Sequence, residues 1–152
     1  MNAHSLYHGS PKPLEAGLIY EARPRRGEFY DRTDRDGLSV EEFVERFRPE
    51  NLPSRLRCIF AVSSRRFLNF AGASENFVYS IQPLGRISLC HFDWFSRLLG
   101  LVSGGVHLNK SKKAADFARK YWSGEWNASP RHFAGIELWE NLCEAIKVIK
   151  EV

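Results

Sequence analysis

The sequence predicts a single α+β domain. Short apolar runs end at glycines and prolines, amphipathic stretches stand between them, and the two do not alternate as regularly as a doubly wound sheet requires. At 152 residues the chain fits one domain, spanning 1–152, that can bury a core but not a core plus an independent second domain. Apolar residues at 43% and aromatics at 13% point to an ordered globule. No apolar stretch approaches the roughly 20 residues of a membrane span. No repeat, low-complexity tract or linker divides the chain.

The elements follow in order. In SLYHGSPKPLEAG (Ser5 to Gly17), Leu6 and Tyr7 suit a pleated surface, while Gly9, Pro11 and Pro13 stop the strand in a tight turn. That shape leaves His8 unexplained. LIYEARP (Leu18 to Pro24) reads as a second short strand and GEFYDRTDRDG as polar loop. SVEEFVERF (Ser39 to Phe47) carries the clearest helix start, because Ser39 can cap the backbone while Glu42, three residues on, reaches back. Pro49 and Pro53 end it. RCIFAV (Arg57 to Val62) is a strand, SSRRFLNFAG a short helix closed by Gly72, and NFVYSIQPLG a strand stopped by Pro83 and Gly85. FDWFSRLLGLV fits an amphipathic helix capped by Asp93, and SGGVHLNKSKK a flexible connector. SKKAADFARKYW (Ser111 to Trp122) gathers Ala115, Phe117, Ala118, Tyr121 and Trp122 on one helical side. After the loop SGEWNASPRHFAG, the run LWENLCEAIKVIKEV ends in an alternation closer to strand than helix.

Charge and cysteine usage narrow the chemistry. A net charge of +4 and a pI near 9.1 favour anionic partners such as nucleic acid or a phosphorylated cofactor. The arginines cluster: Arg23, Arg25 and Arg26 in RPRRG, then Arg46, Arg48, Arg55 and Arg57, then Arg65 and Arg66. Most are expected to form a solvated, partly salt-bridged surface. Cys58, Cys90 and Cys143 are odd in number, widely spaced and set among apolar residues, which predicts buried free thiols rather than a disulfide frame or zinc site. The five histidines show no metal spacing. The N-terminus lacks the order of a signal peptide, so a cytoplasmic protein is expected. Neither G-x-G-x-x-G nor G-x-x-x-x-G-K-[ST] is present, so any nucleotide must be held another way.

Three pieces line up in chain order: YHGS at the first strand, IFAVSSRRFLNFAG in the middle and LWENLCEAIKVI at the end. Together they resemble the ADP-ribosyltransferase superfamily, and within it the small single-domain bacterial members that act as resistance factors or toxins. The resemblance covers most of the chain. It implies a split β-sandwich of two small sheets flanked by helices, with NAD bound in the cleft between them.

Carried over by position, His8 of Tyr7-His8-Gly9-Ser10 would hydrogen-bond the adenosine ribose of NAD. An imidazole offers a donor and an acceptor to a ribose diol, and a following glycine lets the dinucleotide approach the backbone. Phe60 stands where many members have tyrosine, which keeps a stacking face for nicotinamide and loses a hydroxyl. Ser63 or Ser64 takes the serine position, and Phe67 or Phe70 the second ring. The late acidic residue is best matched by Glu140 in Trp139-Glu140-Asn141-Leu142, with Glu137, three residues earlier, as the competitor and Glu144 a weaker one. A carboxylate there stabilises the oxocarbenium character that builds on the ribose as nicotinamide leaves. Arg55 is the candidate for gripping the pyrophosphate. Trp122, Gly124 and Trp126 border a loop where rings either stack on a substrate or close off a core.

The resemblance thus implies transfer of ADP-ribose from NAD to nucleic acid or protein, with a toxin role and a neutralising antitoxin partner among its implications. An RNA 2′-phosphotransferase on the same fold is one alternative. A non-catalytic nucleic-acid-binding domain, using RPRRG, SRRF and exposed aromatics, is another.

Overall fold

The computed structural model describes residues 6–68, 77–125 and 138–152. Five strands make one antiparallel sheet: β1 (Leu6–Ser10), β2 (Ile19–Glu21), β3 (Ile59–Ala61), β4 (Phe77–His91) and β5 (Trp139–Glu151). The order is β1-β4-β5-β2, and β3 pairs with β5 beside β2. The helices are α1 (Val40–Glu45), α2 (Phe92–Ser103) and α3 (Lys112–Ser123). The α+β class is as expected, but the described strands form one hydrogen-bonded sheet instead of two small ones.

The reason lies in β4, which does not stop at Pro83 and Gly85. It continues to His91, and with β5 it forms a long ribbon on which the other strands pair. The ladder shifts register between Leu84 and Ile87, and Gly85 takes the turn of this bulge at φ +73°. A Cβ at Gly85 would lie 2.7 Å from Glu144 Oε2. Gly85→Ala is therefore expected to cost about 1–2 kcal/mol through the left-handed backbone alone. Urea denaturation checks this, and an unchanged midpoint would contradict it.

The path β3-β5-β4-β1 bends back on itself. Tyr7 N–H donates to the Val62 carbonyl at 2.8 Å, and Val62 N–H donates to the Tyr7 carbonyl at 3.0 Å. This bridge joins β1 to the residue that follows β3, and among the described residues no other backbone hydrogen bond joins the two strands.

Because successive strand residues point to opposite faces, Phe60 and Ala61 enter different apolar clusters. The larger cluster lies between sheet and helices and holds Phe43, Phe95, Leu98, Phe117, Trp122 and Leu142. The smaller holds Tyr79, Ile81, Cys143, Ile146 and Val148. Trp122 belongs to the core, and its Nε1–H donates to the Val44 carbonyl at 2.8 Å. Trp126 lies outside the described residues. Cys58, Cys90 and Cys143 are buried free thiols, and burial pushes Cys58 and Cys143 up to about 12.

Helix starts differ from expectation in two places. Ser39 precedes α1, but its Oγ makes no capping bond, and Glu42 instead accepts the Tyr30 hydroxyl. Asp93 sits in the first turn of α2, where it pairs with Arg97 at 2.7 Å, and the His91 ring caps the helix by accepting Asp93 N–H at 3.1 Å. At α3 Ser111 caps by accepting Ala114 N–H at 3.0 Å. Of the helix expected over SSRRFLNFAG, the described part holds one 3₁₀ turn, Arg65–Phe67, and the rest lies outside the described residues; the connector before α3 contains another 3₁₀ turn, Leu108–Lys110. No helix among the described residues is long and apolar enough to cross a membrane.

Candidate functional site

A groove of about 930 Å³ opens beside β1, β2 and β3. His8, Gly9, Tyr20, Arg25, Arg57 and Phe60 are among the residues that line it. The His8 ring spans the gap, with Nδ1 2.7 Å from the Phe60 carbonyl. A carbonyl only accepts, so Nδ1 carries the hydrogen and Nε2 keeps its lone pair. Burial holds the His8 pKa below the ordinary value, helped by the Arg25 charge and opposed by the bond to Phe60. The ring is therefore neutral at neutral pH, with an acceptor nitrogen beside the groove.

Three arginines reach this groove: Arg23, Arg25 and Arg57. Arg25 is anchored by its N–H to the Leu56 carbonyl at 2.8 Å, and its guanidinium carbon stands 4.4 Å from the Phe60 ring centre. Glu21 is the only carboxylate lining it among the described residues. A positive, partly aromatic cleft with one neutral imidazole suits an anionic ligand that also carries hydroxyls and a flat ring.

The neighbouring residues of the YHGS run take different parts. Gly9 lines the groove, and Ser10 lines it while closing the strand: its Oγ donates to the Lys12 carbonyl at 2.6 Å and accepts Lys12 N–H at 3.2 Å. Tyr7 packs on the larger core and holds the bridge to Val62. Ser63 is exposed and does not line the groove. Phe67 is buried in the larger core. Phe70 and Glu137 lie outside the described residues.

Glu140 and Arg55 do not join His8. Both are buried, at 1% and 3% exposure, in a polar cluster between the sheet and the helices. Arg55 Nη1 meets Glu140 Oε1 at 2.5 Å and the Tyr121 hydroxyl at 2.7 Å. Its Nε and Nη2 meet the two Glu41 oxygens at 2.7 and 3.1 Å. Tyr121 donates to Glu140 Oε1 at 2.8 Å. The guanidinium fork is thus filled by two carboxylates and a phenol and has no edge left for a pyrophosphate. Burial raises the Glu140 pKa, with Arg55 and the Tyr121 hydroxyl working against it. Burial works against the Arg55 charge as well, but Glu140, Tyr121 and Glu41 more than offset it and hold that pKa well above its ordinary value.

The cluster and the groove meet at one side chain. Phe60 lines the groove, and the Arg55 guanidinium carbon lies 5.2 Å from its ring centre. Gly27 closes the cluster from the RPRRG side, since a Cβ there would run into the Glu41 carboxyl. Glu41 thus links α1, the 27–29 loop and Arg55.

One of these roles had a signal in the sequence, and another did not. Alternation along β5 puts Glu140 on the same face as Leu142, which is a core face, so its burial follows from strand parity. Arg55 and Arg57 are separated by a turn, with Arg57 N–H donating to the Ser54 carbonyl at 3.2 Å, and only the folded turn sends Arg55 inward and Arg57 outward. Comparison with protein-family models finds no match, and comparison with curated proteins finds none either.

Proposed function

We propose that the protein is an NAD-dependent ADP-ribosyltransferase whose dinucleotide lies in the His8 groove. The observation that carries this reading is the meeting, at the gap between β1 and β3, of a neutral His8 with Arg25, Arg57 and Phe60. His8 Nε2 would accept a ribose hydroxyl, and Arg25 and Arg57 would hold the pyrophosphate in place of Arg55. Phe60 would offer its ring to a base. In this reading the gap between β1 and β3 plays the part of the split in the ADP-ribosyltransferase fold.

The reaction would break the bond between ribose C1′ and nicotinamide, the electron pair leaving on nicotinamide. A lone pair of the acceptor forms the new bond to C1′, and the acceptor's proton passes to water or a carboxylate. With Glu140 engaged by Arg55 and Tyr121, the stabilising carboxylate falls to Glu137, the remaining acidic residue shortly before β5. A binding protein without turnover is the second reading, favoured by the buried state of Glu140.

Titration calorimetry with NAD tests the proposal. Arg25→Ala is expected to weaken binding roughly tenfold to a hundredfold, the worth of a hydrogen bond to a charged group. His8→Ala is expected to weaken it roughly twofold to tenfold, the worth of a neutral one. Absence of NAD binding by the parent protein, or an affinity equal to the parent's in both variants, rejects the reading.

A further inference from the structure

A second cavity, of about 540 Å³, adjoins the His8 groove and shares Glu21, Ala22 and Arg57 with it. We propose that it is the acceptor site, and that its occupant is one nucleotide of a single-stranded nucleic acid. This inference rests on the NAD reading of the neighbouring groove.

The cavity lies between the 49–52 turn and the bulge of β4 against β5. Two arginines in its walls are held in place. Arg48 pairs with Glu45 at 2.6 Å and donates to the Leu52 carbonyl at 2.7 Å. Arg86 donates through Nη1 to the Asn51 carbonyl at 3.2 Å, while its backbone N–H holds Glu144 Oε2 at 2.9 Å. Arg57, at the junction with the groove, has no carboxylate within ion-pair distance among the described residues. Glu21, Glu50 and Glu144 supply the opposite sign.

This mixture selects against simple ligands. A plain anion would face three carboxylates, and a plain cation three guanidiniums. A nucleotide carries both complements: a phosphate for the arginines, and base-edge N–H groups that a carboxylate accepts. The volume is that of a small-molecule site. A base can enter only when it is out of a duplex stack, as it already is in a single strand without the cost of unpairing. The protein's net charge of +4 favours the approach of such a polyanion.

Fluorescence anisotropy with a short labelled single strand of mixed sequence, with NAD titrated separately, tests this. Arg86→Ala removes the side chain but keeps the amide that positions Glu144, and its thermal melt confirms folding. It is expected to weaken strand binding about tenfold or more and to reduce the salt slope by about one, with NAD affinity unchanged. Strand binding equal to the parent's, or duplex bound as tightly with the same loss, overturns the nucleotide site alone. Label from NAD appearing on protein and never on the strand also overturns it. Failure of the parent to bind NAD overturns the acceptor role together with the reading of the groove.

Discussion

Glu140→Ala is expected to lower stability by about 3–5 kcal/mol, because it leaves the Arg55 guanidinium buried beside one carboxylate with part of its fork unpaired. For a domain of this size that corresponds to a drop in Tm of roughly 6–20 °C. The mechanism predicts a second result of opposite kind. Replacing Glu41, Arg55 and Glu140 together by leucine, methionine and leucine removes the charge of this cluster at once, and is expected to be neutral or stabilising. A calorimetric series on the single, double and triple variants decides the matter. A single variant melting within a degree or two of the parent would show that the cluster is not holding the helices to the sheet. Any loss of turnover in Glu140→Ala should track the loss of folded protein.

Glu137→Gln is expected to retain NAD binding and to lose nicotinamide release by about a hundredfold to a thousandfold, the range for removing one preorganised electrostatic contact to developing charge. The glutamine keeps size and hydrogen bonding but not the negative charge that an oxocarbenium-like ribose requires. Chromatographic detection of nicotinamide, with Glu140→Gln measured at a temperature where it remains folded, separates the two acidic residues. If Glu140→Gln is the variant that loses release while binding NAD and melting normally, the buried carboxylate must reach the ribose after all. The assignment to Glu137 would then fail. If the parent binds NAD and releases nothing, the binding-only reading stands.

Local physics made much of the fold legible. α3 follows from its apolar spacing and its Ser111 cap, and β1, β2, β3 and β5 follow from apolar runs bounded by turn residues. β4 misled because Pro83 and Gly85 ordinarily end strands. Here a bulge places Gly85 at positive φ, and pairing resumes at Ile87. The capping box at Ser39 and Glu42 had the right residue types, but Tyr30, distant from Glu42 in sequence, gives that carboxylate a better partner. Of the site, His8 and Gly9 were legible as a strand-end pair facing a cleft. The choice of Arg25 and Arg57 over Arg55 was not, because composition records arginines without saying which way each turns.

By itself the sequence determined what depends on neighbours along the chain: α+β class, three buried thiols, most strands and helices, and a histidine at the mouth of the first strand. Only the tertiary structure decided which charges face water and which face each other. A carboxylate or guanidinium carries the same charge wherever it stands. Whether it binds a ligand or another side chain depends on which elements pack over it, and those elements lie up to 85 residues apart.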